Sequence, residues 1–303
     1  MAFDPNRLVS LDTDGFHEVC RQTHPLWHQG LGFDAYVGRL EDAFDRMAGE
    51  MRYVGLRSDN GSVAASARLL ELRLRLDAEL VPTCGIAAVF VAEEMRGQGW
   101  GTHLIRTILA DAAGRGQQLA LLFSDIGPAY YERLGFRACS ARDWHALAEA
   151  LPASGAFATR EAAPGDRALL DVFNGYADRQ KICPHRTAAW WSYFRWWRGA
   201  RPDLVLLDDG HEVGYVTVRT DADHLHVFEW VAPDVEPGRV WATLRREAIR
   251  VGRHRLGGWL QPGRSEPWMQ VTDRLEAIPM LASTSAEGFV IAAPAVFEEL
   301  DHF

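Results

Sequence analysis

The chain has 303 residues, 48% of them hydrophobic, enough to bury a core and to fill about two domains at ~150 residues each. Its 32 basic against 41 acidic side chains leave a net charge of −9, which argues against nucleic acid as the main partner, since phosphate binding leans on basic surface. Four scattered cysteines without a C-x-x-C pair, no apolar leader in residues 1–10 and only short apolar runs such as 86–92 lead to the expectation of a reduced, cytoplasmic protein with no membrane partner.

In chain order, periodicity predicts a helix over 14–23, with Phe16, Val19 and Cys20 on one stripe, and a second over 33–47, with Tyr36, Val37, Leu40 and Phe44. Strands are expected at 51–57 and 62–70, separated by the turn signal Asp59-Asn60-Gly61. Residues 83–91, rich in small and β-branched apolar side chains, read as a buried strand. The next helix is expected over 102–113, on the stripe Leu104, Ile105, Ile108, Leu109 and Ala112. A strand at 119–123, a short helix at 128–134 stopped by Gly135, and a strand near Phe136 complete the first half.

The Pro/Ser/Gly stretch 151–155 marks a junction, giving domains 1–150 and 156–303. The second half is expected to hold helices at 166–176 and 239–251, and strands at 204–207, 212–219, 224–231, 258–260 and 289–293. Its order of elements loosely echoes the first half, as a duplicated fold would. Trp190, Tyr193, Phe194 and Trp197 share a helical face and read as core or interface.

Arg96-Gly97-Gln98-Gly99-Trp100-Gly101 joins a buried strand to an amphipathic helix. Glycines at alternate positions let backbone N–H groups approach a ligand. The first N–H groups of a helix lack internal partners and carry partial positive charge. Together they make a diphosphate site, to which Arg96 adds a forked cation. A P-loop is excluded because no lysine follows. A dinucleotide fingerprint is excluded because Thr102 stands where its last glycine belongs.

Arg96, Gly99 and Gly101 match the signature [Q/R]-x-x-G-x-[G/A], and Tyr130-Tyr131-Glu132-Arg133-Leu134-Gly135-Phe136 resembles F-Y-x-x-x-G-F. With that order and spacing, residues 83–136 resemble the acyl-CoA-binding core of the GNAT superfamily of N-acetyltransferases. The resemblance implies an α/β (α+β) fold: a mixed, mostly antiparallel sheet flanked by helices, whose central strands splay to admit a pantetheine arm. It further implies that the backbone of Val89, Phe90 and Val91 binds that arm. Arg96, Gly97, Gln98, Gly99, Trp100, Gly101 and Thr102 would hold the diphosphate of acetyl-CoA, with Tyr130 beside it. No metal is expected to take part.

By the same resemblance, Tyr131 protonates the departing thiolate, a task suited to a hydroxyl of pKa ~10, and the backbone N–H of Val91 helps the oxyanion. The strand 83–91 contains neither the glutamate nor the histidine that many relatives use as base. Asp125, Glu71, Glu79 or a water relay are the alternatives.

Leu122-Phe123-Ser124-Asp125-Ile126-Gly127 with Tyr130-Tyr131 is similar to a stretch of fungal lysine N-acetyltransferases. The two-half layout resembles the enhanced-intracellular-survival aminoglycoside acetyltransferases. The implied partner is a primary amine, on a small molecule or a lysine side chain, and the net acidity is compatible with a cationic one. The alternative is a non-catalytic acyl-CoA-binding regulatory module. Residues 156–303 hold no second glycine turn, since 232–238 has one glycine only; a degenerate GNAT-like copy there would wall the substrate cleft or mediate a homodimer. His224 and His226 lie on one strand face with Glu229 on the other, Cys183 and His185 are too few for zinc, and no G-x-S-x-G marks a hydrolase.

Overall fold

The computed structural model describes residues 7–47, 49–163, 166–199, 203–285 and 294–303. The first half runs β1 (Val9–Ser10), α1 (Thr13–Trp27), α2 (Phe33–Arg46), β2 (Met51–Arg57), β3 (Val63–Leu76), β4 (Glu79–Val91), α3 (Trp100–Gly114), β5 (Leu119–Ser124), α4 (Ala129–Glu132), β6 (Arg137–Ala138) and β7 (Arg142–Leu147). The rest runs β8 (Ala158–Glu161), α5 (Arg167–Ala177), β9 (Ile182–Pro184), α6 (Ala188–Trp197), β10 (Leu204–Asp208), β11 (His211–Thr220), β12 (Leu225–Val231), α7 (Pro237–Arg250), β13 (Arg255–Trp259), β14 (Gln270–Asp273) and β15 (Ile278–Ser283). The expected strand at 289–293 lies outside the described residues.

These elements form a mixed α/β structure with two mostly antiparallel sheets flanked by helices. Among the described residues the first sheet has eight strands, ordered β1-β2-β3-β4-β5-β15-β6, with β9 pairing the far end of β3. The second has seven, ordered β14-β7-β13-β12-β11-β10-β8. Each sheet contains one parallel pair with a helix between its strands: β4 and β5 around α3, and β12 and β13 around α7. The duplication hinted at by element order is therefore visible in the pairing.

Sheet membership does not change at the junction 151–155. Strand β7 precedes it yet lies in the second sheet, between β13 and β14. Strand β15 follows it yet inserts into the first, between β5 and β6, pairing with the whole of β5 from Ser124 to Leu119. Pro279 in the middle of β15 argues against a central strand, because proline cannot donate to a ladder. Its carbonyl accepts from the Cys139 N–H at 2.8 Å, so its nitrogen also faces that short β6 edge rather than β5. The missing donor is thus placed where the ladder is ending.

Two faces of the first sheet matter for function. One packs against α3 through Leu69, Ile86, Ala120, Leu122, Leu104, Ile105 and Ile108. The other carries Leu70, Ala87, Leu121 and Phe123 and is covered by Trp190, Tyr193 and Phe194 of α6 together with Phe297. Helices α1 and α2 close the same side further along through Phe16, Val19, Tyr36 and Leu40. The aromatic face of α6 is core, as its spacing suggests, with Trp197 left half-buried at its end.

The final segment is fastened to the second sheet. Arg186 is buried against Glu229 (2.7 Å) and Asp301 (2.8 Å), while Arg195 reaches Glu229 (2.9 Å) and Asp203 (3.0 Å). Gln261 donates to the Phe297 carbonyl at 2.8 Å and to Glu298 at 2.9 Å. Arg198 donates to the His302 carbonyl at 2.9 Å. These contacts deliver His302 and Phe303 to the edge of β5, where both rings lie 5.1–5.3 Å from Phe123.

Candidate active site

Strand β4 pairs with β5 only from Thr83 to Ile86. Beyond Ile86, β4 continues for five residues with β3 alone, and its register against β3 slips between Ala87 and Phe90. Ala88 sits in this bulge at φ 47°, left-handed backbone that a non-glycine residue rarely adopts. The bulge bends β4 away from β5, and the two strands splay at the sheet's centre.

Past the splay, Gly97 (φ 75°) and Gly99 (φ 87°) turn the chain into α3. Gly99 is the N-cap of that helix and makes no side-chain cap, so the first-turn N–H groups point outward unclaimed by a capping side chain. A Cβ at Gly101 would meet the Tyr130 hydroxyl at 2.9 Å and Val91 Cγ2 at 3.4 Å, so only glycine lets helix, strand and tyrosine close together. Gln98 braces the turn by donating to the Glu94 carbonyl at 2.8 Å. Arg96 donates from Nε to the Val91 carbonyl at 3.2 Å and remains exposed. Trp100 packs on the α3 face of the core, and Thr102 lies in the first turn of the helix. This geometry fits the diphosphate of a CoA donor: an N-terminal helix cradle, a cation beside it, and a gap between strands for a thin arm.

A cavity of about 660 Å³ joins the two faces of the sheet at the splay. Its walls include Val89, Val91, Gly101, Leu122, Tyr130 and Tyr131 on the α3 side. Tyr36, Leu40, Tyr53, Arg68, Phe123, Trp197, His302 and Phe303 line the other side. Phe90 is buried, stacks edge-on against Trp27 at 6.1 Å and lies just off the lining. The structure thus brings Tyr131, Asp125, Val89, Val91, Gly101 and Tyr130 together around one space, while Arg96, Gly97, Gln98 and Gly99 stand at its outer mouth.

Tyr131 is 8% exposed, held edge-on by Tyr130 (5.0 Å) and Phe136 (5.8 Å). Burial, with smaller contributions from Tyr130 and Asp125, pushes its phenol up to about 12, so it stays protonated. Asp125 follows β5, is exposed and lines the cavity; its Oδ1 accepts from the Ala277 N–H at 2.9 Å. Glu71 stands apart, clamped by Arg115 and Gln117 at 2.8 Å each, and Glu79 pairs at the opposite end of the β3–β4 ladder. His302 lines the cavity, but burial and then the nearby Arg198, Arg274 and Arg68 push its imidazole down to about 3. It is neutral at pH 7.

The sequence does not reveal that the second half lines this cavity through Trp197, His302 and Phe303. Nor does it single out Arg68, which falls within the expected strand 62–70. The second sheet's own turn cannot serve as a cradle. Glu236 caps α7, Pro237 follows, and the Glu236 carboxylate lies 2.7 Å from where a Gly238 Cβ would stand. A carboxylate there repels a diphosphate. Asp221, His224 and His226 place one ligand atom each within 4.8 Å of one another, which the face-alternation reading did not foresee, since His224 precedes β12. Arg219 already holds Asp221 at 2.7 Å and Glu299 holds His226 at 2.6 Å.

Residues 11–139 match the family model described as an acetyltransferase (GNAT) domain. The chain is similar in structure to a GCN5-related N-acetyltransferase from Anabaena variabilis (TM-score 0.74, 15% identity, covering 92% of this chain and 73% of that one). It is similar to Eis1 from Mycobacterium abscessus (TM-score 0.64, 17% identity, 93% and 74% covered). It is also similar to a tandem GNAT protein from the clavulanic acid biosynthesis pathway (TM-score 0.52, 15% identity, 93% and 99% covered). No curated protein matches the sequence. The likeness to fungal lysine N-acetyltransferases finds no support in these comparisons. The chain shares the fold of the tandem GNAT protein and its neighbours, and residues 11–139 are the part that matches the GNAT acetyltransferase model.

Proposed function

We propose that this chain is an acetyl-CoA-dependent N-acetyltransferase acting on a primary amine of a small molecule or a lysine side chain. The observation that carries the reading is the splay of β4 from β5 beyond Ile86, which connects the Gly97–Gly101 turn to a cavity holding a protonated tyrosine. Arg96 to Thr102 would hold the diphosphate, and the bulged backbone at Val89 to Val91 would line the pantetheine arm. The bound thioester supplies the acyl group and a thiolate leaving group.

The chain's residues then have distinct tasks. Asp125 receives the proton of the attacking amine, directly or through a water. A C–N bond forms and a C–S bond breaks, with negative charge passing from the carbonyl oxygen to sulfur. Backbone N–H groups freed at the bulge steady the oxygen. Tyr131 gives its phenolic proton to the sulfur and regains one from solvent. Domains 1–150 and 156–303 serve one site: the first binds the donor and the second completes the acceptor wall.

The test is free-thiol release from acetyl-CoA across a broad amine panel, with Tyr131→Phe as control. Amine-dependent release that falls in the variant supports the reading. Acetyl-CoA binding without release for any amine would favour a non-catalytic acyl-CoA-binding module.

A further inference from the structure

Resting on the acyl-transfer reading above, we infer that Arg68 is a specificity-determining residue that binds a carboxylate on the acyl acceptor, so that the acceptor is an amine also bearing an acid group, as in an amino acid.

Arg68 lies mid-strand in β3, in register with Tyr53 on β2 and Ala87 on β4. It is on the sheet face opposite α3, beyond the splay as seen from the glycine turn. Its side chain lines the cavity although the residue is only 5% exposed. Its Nε is buried with no hydrogen-bond partner, and among the described residues no carboxylate comes within 4.0 Å of its guanidinium. Arg186, the other arginine in the buried class, contacts two carboxylates.

An unpaired buried cation is costly by desolvation, so its persistence calls for an anion or for strong compensation. The aromatic neighbours do not neutralise it. Tyr53, Tyr36 and Tyr193 are all held protonated by burial, and Trp197 offers a ring face 5.5 Å away. Arg39, a second cation on the same wall, stacks on Trp197 at 4.4 Å and, among the described residues, bonds only to Gln29 and the Trp197 carbonyl. The chain is acidic overall, yet this end of the cavity is cationic, and the carboxylate lining it, Asp125, belongs to the Tyr131 end. One end suits an ammonium and the other a carboxylate. Guanidinium and carboxylate match as a bidentate pair, and the deep site strengthens the match.

The experiment compares matched pairs: proteinogenic amino acids, β-alanine and γ-aminobutyrate against their decarboxylated amines. Two readouts are used with wild-type protein, Arg68→Met and Arg68→Lys: CoA release from acetyl-CoA, and calorimetric binding of the same compounds to CoA-saturated protein. Thermal melting and acetyl-CoA titration check that each variant folds and keeps its donor site. The expected result is that at least one carboxylate-bearing member beats its partner by ~10-fold or more in kcat/KM or Kd. Arg68→Met should erase that preference through KM, and Arg68→Lys should keep part of it. No preference in any pair by either readout, or a preference that survives Arg68→Met, overturns the inference. Turnover of the plain amines alone would do so while leaving acyl transfer standing, whereas failure to bind acetyl-CoA strikes the acyl-transfer reading itself. A parallel arm with succinyl-CoA places the carboxylate: an Arg68-dependent preference for that donor moves it to the acyl group and overturns the acceptor assignment.

Discussion

Replacing Tyr131 with phenylalanine removes one hydroxyl and leaves the ring that packs on Tyr130 and Phe136. With the phenol pushed up to about 12, on the order of one Tyr131 in 30,000 is ionised at pH 7.5, so the residue is a proton donor throughout the physiological range. General acid assistance of this kind contributes roughly 10²–10⁴ in rate, or about 3–5 kcal/mol of barrier. The variant should therefore lose that factor in kcat while its acetyl-CoA affinity and melting temperature stay close to wild type. The assay is thiol release at saturating acetyl-CoA, with donor binding measured separately by calorimetry. The wild-type rate should also show no alkaline limb from Tyr131 below pH ~10, because deprotonation begins only as pH approaches the raised value. A variant that turns over at the wild-type rate would refute the acid role and leave Tyr131 as a packing residue.

Three further outcomes follow from the buried charges and the strand exchange. Arg186→Met leaves Asp301 without its cation and Glu229 with Arg195 alone, and should cost roughly 3–5 kcal/mol in a denaturant titration; a change near zero would show that the network is dispensable. Burial, outweighing the nearby Arg264, raises Glu298 to about 8 from its ordinary 4.5. A raised carboxyl binds its proton more tightly in the folded state, so its contribution is whole below pH ~4.5 and is lost as pH climbs to about 8. The melting temperature should fall across that window, and Glu298→Gln should flatten the fall; identical profiles would contradict the assignment. Residues 1–150 expressed alone lack β15, which leaves the β5 edge open and β6 without its partner. That fragment should aggregate or melt without cooperativity by size-exclusion and circular dichroism, and a well-folded monomer would contradict it.

The first half was legible because its signals are local. The α3 stripe, the β-branched run of β4 and the glycines at 97, 99 and 101 each specify their own backbone. The bulge at Ala88 was not, since nothing in Ala87-Ala88-Val89 demands positive φ; the neighbouring strands impose it. Strand β15 escaped detection because Pro279 argues against a strand, and its tolerance depends on which side the ladder ends. Its place beside β5 is a contact across more than 150 residues, which no local pattern encodes. Arg68 escaped for the opposite reason. Its strand was expected, but only the tertiary arrangement shows that its side chain borders a cavity. The same holds for Trp197, whose spacing marks a buried stripe while its position at the end of α6 puts it on the cavity wall.

The most direct test of the account is calorimetric titration of acetyl-CoA into the wild-type chain and Gly99→Asp. Gly99 adopts φ 87° with open space where a side chain would project, so aspartate puts a carboxylate into the cradle rather than into the core. The account predicts one acetyl-CoA bound per wild-type chain and affinity weakened ~10-fold or more in a variant that still folds. Absence of binding to the folded wild type, or undiminished binding to Gly99→Asp, would contradict it.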